Sequence, residues 1–374
     1  MQIPLLDLKA QYLSIKEEID EAVEKVISSQ FFILSEEVSD LEDEVALYTG
    51  TLGAAGVASG TDALILALKA AGVERGDHVI TSTFTFFATS EAISLLGAVP
   101  MFVDIDPETY NIDPNGIEEL LRNVSSDIKE KIKAIIPVHL YGQCADMTSI
   151  MSLADQHDFQ VIEDCAQAIG ALHNGRQAGG FGTAGCLSFF PSKNLGGFGD
   201  GGMIVSTDSG LINLVKKLRV HGSSEQYIHE RIGYNSRLDS LQAAVLRVKL
   251  KKLNEWIDKR CTIAARYNEA FLDAGITTPK VADGNTHTYH QYTIAVDDRD
   301  EFLQHLNDKG IAARVYYPVP LHLQPCYKEL GYSIGSFPVA EEICEKVLSL
   351  PVYPELTEEQ IEYVIQTVKS FVRA

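Results

Sequence analysis

Short apolar runs alternate with helical stretches between residues 54 and 206, and this alternation constrains the fold more than any other feature. The runs are Ala54 to Ala58, Val79-Ile80, Met101 to Val103, Ala134 to Ile136 and Gln160 to Ile162. Parallel strands need crossovers of a dozen or more residues, and these crossovers are usually helical. The pattern therefore predicts an α/β domain with a mainly parallel sheet flanked by helices.

Helical segments lie on both sides of this region. Residues 5–50 are predicted to be helical, and the glycine at the end of this segment is a typical helix stop. Residues 236–273 form a second helical region, which we expect to link two lobes. The C-terminal part combines one strand and two helices, at 292–296, 299–308 and 357–372. A chain of 374 residues can bury one large core and one smaller core. We therefore place a large domain at 1–250 and a small α/β domain at 251–374.

One lysine, Lys193, lies between an apolar run and a cluster of glycines in Ser188-Phe-Phe-Pro-Ser-Lys193-Asn-Leu-Gly-Gly-Phe-Gly-Asp-Gly-Gly202. The apolar run predicts a buried strand, and the glycines allow another group to approach the backbone closely. A desolvated lysine loses its proton more readily, and the free amine attacks carbonyl carbons. Lys193 is a candidate nucleophile, and the alternative is an exposed lysine on a glycine turn.

Asp164 follows the predicted strand at 160–162, and Glu163 is the one residue between them. In open α/β sheets, ligands bind outside the carboxyl ends of the strands. A lysine and an aspartate at one sheet edge suggest pyridoxal phosphate, because the lysine forms a Schiff base and the carboxylate keeps the pyridine nitrogen protonated. Taken alone, Asp164 could instead cap a helix or lie in an exposed turn.

A phosphate site is predicted at Ser59-Gly60-Thr61, between a short strand and a helix that runs from about Asp62 to Ala71. Free backbone amides and the helix dipole favour an anion at a helix N-terminus. Ser59 or Thr61 could equally be an ordinary helix cap.

Segments from nearly the whole chain resemble the DegT/DnrJ/EryC1/StrS family, which are fold-type I, pyridoxal phosphate-dependent aminotransferases of nucleotide-linked keto-sugars. The matching segments are 3–8, 59–64, 83–89, 103–106, 137–142, 163–168, 189–193, 233–239 and 317–322. Their joint order is specific, although none of them is decisive alone. The resemblance implies an α/β fold with a large cofactor-binding domain and a smaller C-terminal domain.

The resemblance also implies roles for individual residues. Lys193 resembles the Schiff-base lysine, Asp164 the partner of the pyridinium nitrogen, and Gln167 the residue that binds the phenolic oxygen of the cofactor. Phe86 resembles the aromatic residue that stacks on the cofactor ring, a flat surface on a flat heteroaromatic. Asn235 resembles the asparagine that reaches the phosphate of the neighbouring subunit. The phosphate ligands implied are Gly60, Thr61 and Ser188. Without the resemblance, core packing would be favoured for Phe86 and a solvent-facing strand hydroxyl for Ser188.

The block Asn235-Ser-Arg-Leu-Asp239 resembles the branch of the family that acts on 3-keto-sugars. The expected reaction moves the amino group of glutamate to a UDP- or dTDP-linked 3-keto-sugar. The product would serve the synthesis of cell-surface polysaccharide, lipopolysaccharide (lipid A) or glycosides, and a 4-keto substrate is the alternative. The candidate substrate residues are Arg237, Tyr317 and His322. The resemblance further implies a homodimer with shared active sites.

Composition excludes several other classes. The net charge of −21 argues against nucleic acid and anionic membranes as partners, although a local basic pocket can still bind a nucleotide-sugar. The start of the chain lacks a basic leader, and no apolar stretch is long enough to span a membrane. The six cysteines show no paired metal-binding spacing. We expect a cytoplasmic enzyme with free thiols and no metal.

Two further classes compete with this interpretation. The glycines from 197 to 202 match G-x-G-x-x-G, which suggests an NAD-dependent oxidoreductase, but they precede an apparent strand rather than opening a helix. A non-catalytic family member is the other alternative. Such members often lack the lysine, as do related dehydratases with a histidine in its place, and Lys193 is present here.

Overall fold

Helices and strands alternate through most of the chain in this computed structural model, which describes residues 1–272 and 274–372. The helices within these residues are α1 (Leu8–Ser14), α2 (Lys16–Ser29), α3 (Glu36–Thr49), α4 (Gly60–Ala70), α5 (Ala88–Leu95), α6 (Pro114–Asn123), α7 (Ser126–Lys129), α8 (Met147–His157), α9 (Ser209–Leu218), α10 (Ser240–Leu250), α11 (Leu253–Phe271), α12 (Arg299–Asp308), α13 (Pro338–Lys346) and α14 (Glu358–Val372). The strands are β1 (Gly53–Val57), β2 (His78–Ser82), β3 (Val99–Val103), β4 (Ile132–Ile136), β5 (Gln160–Asp164), β6 (Leu172–His173), β7 (Arg176–Gln177), β8 (Ala184–Ser188), β9 (Gly202–Ser206), β10 (Ser223–Glu225), β11 (Ile228–His229), β12 (Tyr292–Ala295) and β13 (Val347–Leu350). Short 3-10 helices lie at Leu140–Gly142, Leu321–Leu323 and Pro325–Leu330.

The central sheet has the strand order β1-β9-β8-β5-β4-β2-β3. β9 runs antiparallel to both of its neighbours, and the other strands of the sheet run parallel to one another. This confirms the predicted α/β class and the mainly parallel sheet. The carboxyl ends of β1, β2, β5 and β8 therefore meet at one edge, where ligands bind in such sheets.

Helices cover both faces of the sheet, so most of its strand residues are buried, including polar ones such as Thr81 and Glu163. One face packs against α4, α5 and α9 through residues such as Leu66, Ile93 and Val215. The opposite face packs against α3 and α10 in one cluster and against α6 and α8 in another. The core thus fixes the sheet edge from both sides.

A second core lies in the C-terminal part, where β12 pairs with β13 in antiparallel fashion. α11, α12 and α14 contribute apolar side chains to this core, including Tyr267, Phe302 and Val364. Ile3 also packs here and forms a bridge with Ile311, so the first residues of the chain join the C-terminal core. The limits proposed at 1–250 and 251–374 remain a prediction.

The described helices include none with the length and apolar character needed to cross a membrane.

Candidate active site

Asp164 is the last residue of β5 and is almost completely buried. Its carboxylate accepts hydrogen bonds from Thr89 Oγ1 at 2.7 Å and from Ala166 N at 3.1 Å. These donors hold the carboxylate in one orientation at the carboxyl edge of the sheet. The sequence motifs did not indicate the role of Thr89, although this residue ends one of the segments that resemble the family.

Lys193 lies in the turn that follows β8 and is half-buried. Burial lowers the pKa of its amine to about 8, while the negative charge of Asp164 acts in the opposite direction. With this pKa about a tenth of the amine is neutral at pH 7, far more than for an ordinary lysine, and the neutral form is the one that attacks a carbonyl carbon. The alternative of a fully exposed surface lysine does not fit this environment.

The start of α4 and the end of β8 form a compact cradle at the predicted phosphate site, which we call the phosphate cradle and define by Ser59, Gly60, Thr61 and Ser188. Ser59 is the helix cap and accepts a hydrogen bond from Asp62 N at 3.1 Å. A Cβ added at Gly60 would lie 2.7 Å from Ser188 Cβ, so only glycine allows this approach. The cradle presents the positive end of the α4 dipole, which favours an anion.

Glycine is also required where β9 begins, beside the cradle. Gly202 pairs with both Val57 and Ser188, and a Cβ there would overlap Ser59 O. The glycines from 197 to 202 thus lead into a strand, which is not the context of a dinucleotide-binding fingerprint.

Gln167 links two tyrosines above this sheet edge. Its Oε1 accepts a hydrogen bond from Tyr141 N at 2.7 Å, and its Nε2 donates to Tyr317 Oη at 3.0 Å. Burial raises the pKa of the Tyr317 phenol, so this side chain remains a neutral hydroxyl at physiological pH. Sequence reasoning placed Gln167 and Tyr317 in the site but did not predict that they bond to each other.

Phe86 follows β2 and is 58% exposed, so it is not a core residue. Its ring centroid lies 6.2 Å from that of Tyr317, with a tilt of 40° between the rings. An exposed aromatic ring beside this sheet edge can pack on a flat ligand.

The block around Asn235 is fixed next to the phosphate cradle. Ser236 is buried, accepts a hydrogen bond from Ala58 N at 3.2 Å, and donates to Asp62 Oδ2 at 2.7 Å. Asn235 is exposed and Arg237 is half-buried. The structure therefore anchors this block near the site, while the roles of Asn235 and Arg237 remain predictions.

His322 has partners on both ring nitrogens. Nδ1 lies 2.7 Å from Thr83 Oγ1, and Nε2 lies 3.0 Å from Glu341 Oε1. Burial lowers the pKa of the imidazole, and Glu341 opposes this shift. Contact with a substrate would compete with one of these bonds, so the substrate role of His322 remains a prediction.

His139, Glu163 and Cys165 bring potential metal-ligating atoms within 4.8 Å of one another. Hydrogen bonds account for this cluster. The Glu163 carboxylate accepts from His139 Nε2 and from the backbone amides of Gly179, Phe181 and Gly182. His139 Nδ1 accepts from Ala145 N, and both imidazole nitrogens are thereby occupied.

Comparison with known proteins places this fold and site in context. A model of the DegT/DnrJ/EryC1/StrS aminotransferase family matches residues 13–369. The chain is 49% identical to the "pleiotropic regulatory protein" of Geobacillus stearothermophilus, covering 100% of this chain and 99% of the relative. It is 45% identical to the UDP-N-acetyl-3-dehydro-alpha-D-glucosamine 3-aminotransferase of Acidithiobacillus ferrooxidans, covering 98% and 97% of the two chains. The crystal structure of S. venezuelae DesV in complex with a ketimine intermediate superposes with a TM-score of 0.96 at 40% identity, covering 100% of this chain and 99% of that one.

The fold and the site define an α/β aminotransferase that depends on pyridoxal phosphate. The chain belongs to the DegT/DnrJ/EryC1/StrS aminotransferase family. The described residues fit the cofactor: the cradle at Gly60 and Ser188 suits a phosphate, and Asp164 suits a protonated ring nitrogen. The amine of Lys193, with its lowered pKa, suits the aldehyde of the cofactor. The individual contacts with the cofactor remain predictions.

Proposed function

We propose that this protein transfers an amino group from glutamate to C3 of a nucleotide-linked 3-keto-sugar. The observation that carries the proposal is the meeting of Asp164, the Lys193 turn and the phosphate cradle at one sheet edge. The 3-keto preference is supported by the block at 235–239 and by the name of the relative from Acidithiobacillus ferrooxidans. The nucleotide is UDP or dTDP, and a 4-keto-sugar is the competing substrate.

Bound pyridoxal phosphate supplies a ring that accepts electrons from the carbon that loses its proton. Asp164 would stabilise a proton on the ring nitrogen, because its carboxylate is held by Thr89 and Ala166 N at the sheet edge. The Lys193 amine would take the proton from the α-carbon of the amino donor and return it during product formation. A general base acts best when its pKa lies near the working pH, and burial brings the pKa of Lys193 to about 8.

The remaining residues of the site would orient the reactants. Gly60, Thr61 and Ser188 would bind the cofactor phosphate at the N-terminus of α4. Gln167 would bind the phenolic oxygen of the cofactor through its amide nitrogen, which now donates to Tyr317 at 3.0 Å. Phe86 would cover the ring face.

The working unit in this proposal is a homodimer that shares its active sites. Three phenylalanines at or near the Lys193 turn and sheet edge, Phe86, Phe190 and Phe198, are 58%, 53% and 48% exposed. Large apolar side chains left this exposed are suited to contact with another molecule. A second copy would cover this surface and bring its Asn235 to the cofactor phosphate, as the exposed position of Asn235 allows.

The experiment incubates the purified protein, pyridoxal phosphate and glutamate with a panel of 3-keto and 4-keto nucleotide-sugars, with Lys193→Ala as the inactive control. NMR of the product locates the new nitrogen. Nitrogen on C3 supports the proposal, whereas nitrogen on C4 contradicts the 3-keto preference. Cofactor binding without turnover of any member of the panel would contradict the proposed activity and favour a non-catalytic role.

A further inference from the structure

The turn that carries Lys193 is closed by its own backbone. Lys193 N donates to Phe190 O, and Gly197 N donates to Phe189 O, both at 2.8 Å. Gly196 lies so close to the preceding backbone that an added Cβ would overlap it. The position of the Lys193 amine therefore depends on whatever holds this turn against the rest of the protein.

One face of α10 holds the turn at two points. Gln242 Oε1 accepts a hydrogen bond from Phe198 N at 2.7 Å, and Lys249 Nζ donates to Gly196 O at 2.7 Å. Gln242 and Lys249 lie about two helical turns apart, so both side chains project from the same face. The Lys249 ammonium also lies 4.8 Å from the centroid of the Phe198 ring.

Lys249 is an unusual residue to find in this place. It is 1% exposed, and a buried ammonium is costly unless its surroundings compensate the charge. Its immediate partners are a carbonyl oxygen and an aromatic face, while Glu355 acts on it only as a more distant charge. An apolar side chain would fill the same space without the cost of burying a charge. The contact with Gly196 O is the feature that such a side chain would lose.

We propose that Lys249 is a positioning residue, which fixes the turn through Gly196 O so that the Lys193 amine stays directed toward the sheet edge. Gln242 supports the same turn from the neighbouring position at Phe198. The proposal rests on the proposed function only in taking Lys193 as the reacting amine. Lys249 itself contacts neither substrate nor cofactor in this account.

The test is hydrogen exchange of the full-length protein, with and without pyridoxal phosphate, for wild type and Lys249→Met. Loss of a hydrogen bond to a charged donor should speed amide exchange in the segment 189–199 by about tenfold or more. Amides of α4 should exchange as in wild type. Leu306→Ala, which truncates a buried side chain in the C-terminal core, is the control for general destabilisation and should leave 189–199 unchanged.

Kinetics supply the second measurement. Lys249→Met should lower kcat by about tenfold with KM for the sugar changed far less, because the substrate contacts are intact while the reacting amine is misplaced. Unchanged exchange at 189–199, or an increase spread equally over the whole chain, would overturn the proposal. If Lys249→Met does not fold, Gln242→Ala must show the same local increase at 189–199, or the proposal fails.

The two proposals can fail separately. Exchange at 189–199 does not depend on any sugar being turned over, so an inactive substrate panel leaves this test intact. Conversely, a correct amination product with unchanged exchange in Lys249→Met would refute only the role of Lys249.

Discussion

Replacing Thr89 with valine should slow transamination without disrupting the fold. Thr89 and Asp164 are both buried, and the Thr89 hydroxyl donates to Asp164 Oδ2 at 2.7 Å. Valine has nearly the same shape and removes the hydroxyl, which also lies 3.5 Å from Thr85 Oγ1. The Asp164 carboxylate would then keep its bond from Ala166 N but lose the side-chain donor that fixes its second oxygen.

The size of the effect follows from the type of bond. A hydrogen bond to a charged group contributes about 1.5–3 kcal/mol, which corresponds to roughly 10- to 150-fold if all of it is lost in the transition state. Reorientation of the Asp164 carboxylate would recover part of this energy, so we expect the rate to fall by about tenfold, the lower end of this range. The rate should fall in both half-reactions, because both need the protonated ring nitrogen.

The assay is the single-turnover rate with glutamate, followed by the absorbance of the bound cofactor. Thr81→Val is the matched control, since Thr81 is equally buried on β2 and its hydroxyl donates to Ile136 O at 2.9 Å rather than to the Asp164 carboxylate. The Thr81→Val protein should lose about as much folding stability as the Thr89→Val protein but keep the wild-type single-turnover rate. A Thr89→Val protein as fast as wild type, or a Thr81→Val protein as slow as Thr89→Val, would refute the reasoning.

Three further predictions concern the cofactor and the assembly. Because burial lowers the pKa of Lys193 to about 8, the fraction of neutral amine increases as the pH rises through 8. The rate at which the apo-protein binds pyridoxal phosphate, measured by stopped-flow absorbance, should therefore increase up to about that pH and then level off. The Lys193→Ala protein should lose both this absorbance change and turnover. Asp164→Asn should bind the cofactor yet transaminate poorly, since removing one partner of a buried charge pair costs about 3–5 kcal/mol, and near-normal single-turnover rates would contradict the role. Mixing inactive Lys193→Ala and Asn235→Ala subunits should restore up to about a quarter of wild-type activity, if the subunits combine at random into two-fold dimers. If both variants are impaired alone and mixing restores no activity, each subunit completes its own site.

Local patterns are sufficient to predict the mainly parallel sheet and the edge at which Asp164 lies. The strand ending at Asp164 and the glycine-rich stretch after Lys193 are continuous segments, so their chemistry is visible in the sequence. The helix predicted to begin at about Asp62 likewise begins at Gly60 in the structure, within one turn of the predicted start. In contrast, β13 was not predicted, because its identity as a strand depends on pairing with β12 rather than on its own short sequence.

Contacts between distant segments were beyond prediction. Thr89 is separated from Asp164 by 75 positions, and Gln167 from Tyr317 by 150 positions. No local periodicity encodes such pairs, since they arise only when the sheet brings separate loops to one edge. For the same reason the sequence alone, without the family resemblance, favours core packing for Phe86, although its side chain is exposed beside the site.

Two lysines of similar acidity adjoin the same turn, and their surroundings explain why only one is suited to covalent chemistry. Burial lowers the pKa of both Lys193 and Lys249 to about 8, so a neutral amine is accessible to each. Lys249 is 1% exposed and its nitrogen is bonded to Gly196 O, which leaves no path for an aldehyde. Lys193 is half-buried and lies within electrostatic reach of Asp164 at the sheet edge. The lowered pKa alone therefore does not define the nucleophile. Access and a neighbouring carboxylate favour Lys193 for the proposed covalent role, and the burial of Lys249 favours the proposed positioning role.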